Sequence, residues 1–424
     1  MKKILFVTND VIGDTSAGPG IRYVELGKAL AARGYTVTVM GRKPVFGGPQ
    51  AFSYAALTPL NLIRHLKQCD MLIIRGGGPL TTLLVMLFGH DKEIIADIYA
   101  FTHFEVPHIV TKRWVERFFT EIRNVFHIHK LRLYSKYIDK FWVANERQKN
   151  FLLGFFYSEG RFKEEKCISL IPFGYPAAKP VANKKVLRGV VDGIAERDFI
   201  LIWGGGVWDW LDPITLVKAM DRVRHSAESI KLYFMGVQAP SGYFPAKAAE
   251  LLDAARASGL LNKTIFVNTG WIPYQDRTDY LLEADAGVSL HPESLETYYS
   301  FRTRNLDYVF CGLPMVHTTG DIWAEIIDKK QLGIVVPPLD DHAVAEAVLR
   351  LRNDRDLYDK MRRNIEYIYN DFSWTSIAEK AAQSIEVKEM LVKRNFINKS
   401  IDLFGSYLLF SIQSLLLFFK SAFK

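Results

Sequence analysis

The sequence predicts an α/β protein of two doubly wound domains, and three observations carry that reading. The first is alternation. Short apolar runs, ILFV, TVTVM, MLIIRG, EIIADIY, KFWVAN and CISLIP, are separated by stretches whose apolar residues recur at helical spacing. Repeated β-α units of this kind imply a parallel sheet covered on both faces. The second is repetition: after a Pro-rich connector, PFGYPAAKP at 172 to 180, the pattern begins again with FILIWG, KLYFMG, TIFVNTG, AGVSLH, PMVHT and GIVVP. The third is size. At 424 residues, 49% hydrophobic and 24% charged, the chain exceeds one ordinary core and suits two domains of about 150 to 200 residues.

Taken in order, MKKILFVTND has a four-residue apolar run before polar residues, which reads as a buried first strand and not a leader. IRYVELGKALAARG is the first helix, closed by Gly34. Cys69, Cys167 and Cys311 are odd in number and lie in no C-x-x-C pair, which points to reduced thiols in a cytoplasmic setting. The formal charge of +8 favours an anionic partner.

Ligands of doubly wound sheets bind beyond the carboxyl ends of the strands, so a cleft between two such domains is the expected site. After the first strand comes GDTSAGPGIRY. Gly18 and Gly20 allow close backbone approach, and Arg22 lies in the first turn of the next helix, where free N–H groups favour an anion. After the first strand of the second domain comes WGGGVWDWLDP, with Gly205, Gly206 and Trp208. Neither cluster is a dinucleotide fingerprint, since the third glycine is replaced by Tyr23 and by Asp209; each reads as a phosphate loop or as a tight turn.

The stretch HPESLETYYSFRTRNLDYVFCGLP is more specific. Ser300 has the chemistry of an N-cap, Gly312 of a C′ residue and Pro314 of a stop, so a helix is expected over 301–311. Arg302 and Arg304 then stand beside N–H groups that already favour negative charge, which suits a diphosphate. Asp307, one turn on, can accept hydrogen bonds from a ribose diol. The competing reading is a surface helix with Arg304 and Asp307 paired.

Together, GPGIRYVELGKALAARG, FWVANERQKNFL, LIPFGYP, LIWGGGVWDWLDPITL, GWIPYQDRTDYLLEADAGVSLH, FRTRNLDYVFCGLPMV and FSW resemble bacterial retaining glycosyltransferases of family 4 (glycosyl transferases group 1), over residues 1 to about 385. The resemblance implies the GT-B fold of two facing Rossmann-like domains. An acceptor domain would span 1–173 with a crossover helix at about 374–395, and a nucleotide-sugar domain would span 174–373. It also implies transfer of a sugar from a nucleotide-diphosphate donor, with no cofactor and no metal. In that reaction the departing phosphate takes the proton from the incoming hydroxyl. The family commonly sets two glutamates eight positions apart ahead of a G-x-P. Here Asp307 takes the second place, Tyr299 the first, and Glu296 lies three residues early. The usual Arg and Lys after the first strand of the second domain are replaced by GGGVWDWLDP. Arg302 and Arg304 are therefore expected to carry part of the diphosphate charge, and Glu296 to reach the donor sugar.

Asp97, Tyr99, His103 and Glu105 follow EIIADIY, and Asp97 and His103 are candidates for orienting an acceptor hydroxyl. Trp208 and Trp210 stack on a base or sugar, or are core. Asp354 and Asp356 form a D-x-D that reads as helix capping, and His127 and His129, two apart, point to different sides of a helix. Residues 112–136 combine Trp114, Phe118, Ile122, Val125 and Phe126 with many bases, as a membrane-surface helix or a buried one does. The tail 396–424 has no charge from Leu403 to Phe419, and Lys399, Ser406, Gln413 and Lys420 repeat as a narrow polar stripe, which suits a membrane interface. A saccharide or polyprenyl-linked saccharide acceptor at the inner face of the cytoplasmic membrane fits both stretches. Rival functions are a sugar-nucleotide epimerase and a non-catalytic sugar-nucleotide sensor. Nucleic-acid binding is disfavoured because the aromatics follow helical spacing and not that of a base-stacking sheet.

Overall fold

The computed structural model describes residues 2–387 except 14–17, 47, 49, 106, 107, 109–113, 162–164, 226, 228 and 239–243, together with 405, 409–411 and 413. The chain divides into two compact units. One comprises Met1–Val106, Thr111–Gly174 and the segment from Trp374; the other comprises Tyr175–Ser373.

In the first unit, β1 (Lys3–Gly13), β2 (Thr36–Val45), β3 (Ser53–Ala56), β4 (Met71–Arg75), β5 (Glu93–Asp97), β6 (Lys140–Val143) and β7 (Ile168–Leu170) form a parallel sheet in the order 3-2-1-4-5-6-7. Helices α1 (Gly18–Ala31), α2 (Pro59–Gln68), α3 (Pro79–Phe88), α4 (Thr102–Glu105), α5 (Trp114–Tyr137) and α6 (Glu146–Ser158) connect the strands. In the second, β8 (Phe199–Gly206), β9 (Ile230–Gly236), β10 (Ile265–Val267), β11 (Ala286–Ser289), β12 (Met315–Thr318) and β13 (Gly333–Val336) form a parallel sheet in the order 10-9-8-11-12-13. Its helices are α7 (Pro213–Val223), α8 (Ala246–Ala257), α9 (Arg277–Leu282), α10 (Leu295–Tyr299), α11 (Thr303–Cys311), α12 (Ile322–Lys330), α13 (Asp341–Asn353) and α14 (Arg355–Tyr367). Helix α15 (Trp374–Glu386) returns to the first unit.

Both sheets therefore share one winding, in which the strand order reverses between the first and fourth strands of each: β1 and β4, then β8 and β11. That reversal opens a crevice outside the carboxyl ends of the two strands. The apolar runs become strands because burial on both faces removes nearly all their side chains from water: Leu72, Ile73, Ile202 and Trp203 are each 0% exposed. Side-chain caps start many helices, among them Thr58, Asn145, Asp212 and Asp340. Asp354 of the D-x-D accepts from the Leu357 N–H at 3.0 Å and is a cap.

Three features differ from the sequence-based expectation. The short strand β3 was not legible, because SYAA lacks a long apolar run. The helix expected over 301–311 is two helices: Ser300 closes α10 by donating its N–H to Glu296 O (2.9 Å), and α11 starts at Thr303 after an extended Arg302. Ser300 is thus a C-cap and not an N-cap. The crossover helix ends at Glu386 in α15, and 388–395 lie outside the described residues.

Helix α15 is bonded into the first sheet. Lys140 Nζ donates to Ser384 O at 2.9 Å, Trp142 Nε1 to Ser384 Oγ at 3.1 Å, and Ser169 Oγ to the same oxygen at 2.8 Å. Most of the 396–424 tail lies outside the described residues. Where it is described, Phe410 packs 5.7 Å from the Phe126 ring of α5, and Gln413 of the polar stripe hydrogen-bonds His129 at 2.8 Å. The Trp114 side chain is outside the description. Among the described residues no helix is long and apolar enough to cross a membrane.

One side chain holds the second sheet at its reversal. Beyond Gly287, β8 and β11 stop pairing, and the buried Tyr308 of α11 fills the gap. Its hydroxyl accepts from the Gly204 N–H (2.8 Å) and donates to Val288 O (2.8 Å), with Ile202 O 3.1 Å away. Gly287 is required beneath the ring, since a Cβ there would lie 2.4 Å from it. Tyr308→Phe leaves these backbone groups unpaired and is expected to cost about 1–3 kcal/mol, read as a lower urea midpoint at unchanged m-value.

Candidate functional site

The crevice of the second sheet is built from four segments: the glycine loop after β8, the stretch after β11, the start of α11, and the β12–α12 turn. Gly205 has φ +74° and open space where a side chain would be, whereas a Cβ on Gly206 would meet Trp208 and Trp271 at 3.2 Å. The loop backbone is therefore bare at Gly205 and tightly backed at Gly206. Trp208 and Trp210 stack on each other at 5.6 Å and 7°, half-buried, so they form one aromatic wall of the loop.

Arg304, on the first turn of α11, reaches this loop. Its Nη2 donates to Gly206 O at 2.9 Å and its guanidinium lies 4.6 Å over the Trp203 ring. Its Nη1 is buried with no partner among the described residues. Burial, more than the neighbouring Arg302 charge, lowers its pKa to about 10. A buried guanidinium with an unused donor, beside a helix start that no side chain caps, is a site short of negative charge. The pairing of Arg304 with Asp307, on which the competing surface-helix reading rested, is not found among the described residues.

Glu296, Arg302 and Asp307 are paired. Arg302 binds Glu296 bidentately, Nη1 to Oε1 at 2.8 Å and Nη2 to Oε2 at 2.6 Å, with side chains only 6% and 4% exposed. Glu296 is therefore not free to reach a donor sugar, nor Arg302 free to grip a diphosphate; both expectations are corrected by this pair. Asp307 pairs with Arg277 (Nε to Oδ1, 3.0 Å), and its side chain remains 29% exposed. One carboxylate face thus stays open to solvent.

Behind Arg302 lies a cluster the sequence reading did not assemble. His317 Nε2 is 2.9 Å from Asp321 Oδ1, His291 Nε2 is 3.4 Å from Asp321 Oδ2, and Arg302 Nε is 3.9 Å from that same oxygen. Asp321 also caps α12 through the Ala324 N–H at 2.9 Å. Burial pushes the Asp321 pKa up, but His317 and His291 outweigh it and hold the carboxyl well below the usual range. The ring and carboxylate atoms lie within 4.8 Å of one another, a donor set suited to a transition cation. The Arg302 charge at the same carboxylate makes the trio equally complete as a hydrogen-bonded clamp. Its sequence signal was two strand-end histidines, in AGVSLH and PMVHT, followed by the T-G-D start of α12.

In the first unit, Arg22 does not line a phosphate loop. It is 0% exposed and uses its donors internally: Nε and Nη2 bind Asp97 at 2.8 and 3.0 Å, while Nη1 and Nη2 bind Pro172 O and Ile171 O at 2.6 and 2.8 Å. This buried pair also removes Asp97 from any acceptor-orienting role. His103 sits among Phe101, Phe104 and Phe151, with ring centroids at 5.3, 4.2 and 5.6 Å, and burial, then Lys130, lowers its pKa to about 4. It is a neutral base in an aromatic nest. Gly18, with open space at its Cβ position, and the buried Gly20 begin α1; residues 14–17 of that loop lie outside the description.

Two sheets of one winding define the GT-B class, and the comparisons with known proteins agree. Residues 199–354 match the family described as Glycosyl transferases group 1, a match that falls within the second unit. No curated protein matches the sequence. Among solved structures, the chain is similar to WaaG, a glycosyltransferase involved in lipopolysaccharide biosynthesis: 16% identity, 91% of this chain and 100% of that one, TM-score 0.65. It is similar to Anabaena HepE in complex with UDP and glucose (14% identity, 91% and 99% covered, TM-score 0.64). It is also similar to a putative UDP-N-acetylglucosamine 2-epimerase from Listeria monocytogenes (13% identity, 91% and 95% covered, TM-score 0.53).

Removing Arg302 strands Glu296 as a buried charge, so Arg302→Ala is expected to cost about 3–5 kcal/mol of stability. Adding Glu296→Gln is expected to recover more than 1 kcal/mol of that loss, a coupling read by urea denaturation of both single variants and the double. Burial also lowers the His291 pKa to about 4. The unfolded chain then holds the extra proton between about pH 6.5 and 4, so stability falls as pH falls through that window. His291→Gln is expected to flatten the slope of the urea midpoint against pH there.

Proposed function

We propose that this protein is a glycosyltransferase that moves a sugar, a hexose in the simplest case, from a nucleotide-diphosphate donor to a saccharide or lipid-linked saccharide acceptor. The observation that carries the reading is the buried Nη1 of Arg304, without a partner among the described residues, beside the bare backbone of Gly205, inside the region matched by the glycosyl transferases group 1 family. The resemblance of the whole chain to WaaG and to HepE bound to UDP and glucose supports it.

As the bond from sugar to diphosphate breaks, negative charge grows on the leaving phosphate. Arg304, the free N–H groups at the start of α11 and the Gly205 backbone are fixed beforehand where such charge is stabilised. Asp307, half committed to Arg277, is suited to the ribose diol. Glu296 is bound to Arg302, which favours a route without a protein nucleophile: the departing phosphate accepts the proton of the incoming hydroxyl on the same face, and the product retains its configuration. No metal, cofactor or nucleic acid enters this reaction. The setting we propose is cell-surface polysaccharide or glycolipid synthesis, peripheral on the inner face of the cytoplasmic membrane.

The full-length protein, incubated with a panel of sugar nucleotides with and without membrane lipid extract, is expected to transfer sugar only when extract is present. Isomerised donor without extract identifies an epimerase instead, and binding without turnover a sensor. Arg304→Ala is expected to lower kcat/KM for the donor by about 10- to 100-fold. Asp307→Asn should raise the donor KM more than Asp307→Glu; unchanged kinetics in all three variants would sink this site.

A further inference from the structure

The first sheet has a switch-point loop of its own, after β4, that nothing above has used. β4 ends at Arg75, and the chain continues Gly76, Gly77, Gly78 before α3 begins at Pro79. Gly76 and Gly77 have φ of +75° and +90°, a region side chains rarely enter, and a Cβ on Gly76 or Gly78 would meet nothing within 4 Å. The loop is bare. Gly78 supplies no side-chain cap to α3, and Pro79 has no N–H, so the remaining first-turn N–H groups are left open. Beneath it the 1%-exposed Thr82 has a hydroxyl with no partner among the described residues, 3.7 Å from where a Gly77 Cβ would stand.

Two cations frame this loop. The Arg75 guanidinium lies 4.4 Å over the Tyr99 ring, whose neighbourhood is shared by Arg22 at 4.6 Å. Arg22 is neutralised by Asp97. Arg75 has only a 3.8 Å contact with Asp10, itself 45% exposed, and donates no hydrogen bond to any described residue. Lys130 of α5 rests over the Phe126 and Tyr134 rings at 5.7 and 5.9 Å, with no acidic partner among the described residues. The Tyr134 hydroxyl, one turn along the same helix face, lies 3.5 Å from Gly76 O, which ties Lys130 to the glycine loop. The bases around it repel one another: burial, then Arg75, lowers the Lys130 pKa to about 8, and burial, then Lys130, lowers that of His127 to about 3. Leu80, in the first turn of α3 beside the loop, is 56% exposed.

We infer that Arg75, Lys130 and the Gly76–Gly78 backbone form an anion site for a phosphate or diphosphate ester carried by the acceptor. Guanidinium and ammonium on a bare glycine turn beside an uncapped helix start are the chemistry that recognises such a group. A neutral saccharide would leave Arg75 and Lys130 unmatched. This rests on the proposed transfer reaction only for the word acceptor; the anion site itself is independent of it.

The test is equilibrium binding to the full-length protein with three probes: inorganic pyrophosphate, farnesyl diphosphate and farnesol. The site predicts saturable binding of both diphosphates and none of farnesol. Farnesyl diphosphate binding at least tenfold tighter than pyrophosphate identifies a lipid-borne group, and equal affinities identify a soluble phosphorylated acceptor. Diphosphate also fits the Arg304 site, so two binding steps are expected: one weakened about tenfold by Arg75→Ala and by Lys130→Gln, with Arg75→Lys intermediate, and a separate one weakened by Arg304→Ala. Melting curves of the variants matching the parent keep the comparison clean, and Lys130→Gln, a partly exposed position, serves if Arg75→Ala does not fold. No diphosphate binding, or binding lost in Arg304→Ala and kept in the Arg75 and Lys130 variants, overturns the inference. Diphosphate binding of this kind without any sugar transfer would instead remove the proposed function and leave the anion site standing.

Discussion

Where β8 and β11 part company, their backbone groups lose the partners a parallel ladder would supply, and one phenolic oxygen replaces them. Arg304 and Asp307, on the same helix, and the Gly204 end of the glycine loop are placed relative to that oxygen. Tyr308 belongs to α11, so the helix that carries Arg304 and Asp307 is docked onto the sheet by the same residue that holds the crevice open. Two glycines make room for it: Gly204, where a Cβ would press the ring at 3.0 Å, and Gly287. A crevice of fixed width with a helix start aimed along it follows from these three residues, before any charged side chain is considered.

Charge is then distributed unevenly. Glu296 with Arg302, Asp321 with His317, and Asp307 with Arg277 leave Arg304 as the cation of the α11 start without an anionic partner among the described residues. Desolvated ion pairs add little net stability but are costly to break, so they fix geometry. In the first unit the same division recurs: Arg22 and Asp97 lock α1 to the end of β5, while Arg75 one strand away is left nearly unmatched. In each unit one arginine is fully paired inside the protein and another lacks a close anionic partner among the described residues.

The apolar runs of the sequence correspond to the strands because a doubly covered parallel sheet needs continuous apolar segments, and the glycine loops after β1 and β8 mark real strand ends. What the sequence could not reveal was which charges meet. Arg22 and Asp97 are 75 positions apart, and Arg277 and Asp307 are 30 apart, so no local spacing announces either pair. Ser300 misled for a different reason: a serine before a basic-apolar stretch reads as the start of a helix, but here it finishes the short α10 that precedes α11. RGGGP after β4 carried the same signal as WGGG after β8, and only the strand order, with its reversal between β1 and β4, gives it meaning.

Helix α15 makes the second unit an insertion within the first: Tyr175–Ser373 is synthesised between the body of the first sheet and the helix that bonds Lys140, Trp142 and Ser169. At synthesis rates of about 5–20 residues per second, roughly 10–40 s pass before that helix exists. Through this interval β6 carries a lysine and a tryptophan without their final partners, while the second unit is still being added. The part of the chain that emerges first is therefore the part that matures last, and a chain released just after Ser373 carries a second unit with its whole sequence joined to a first unit still lacking α15.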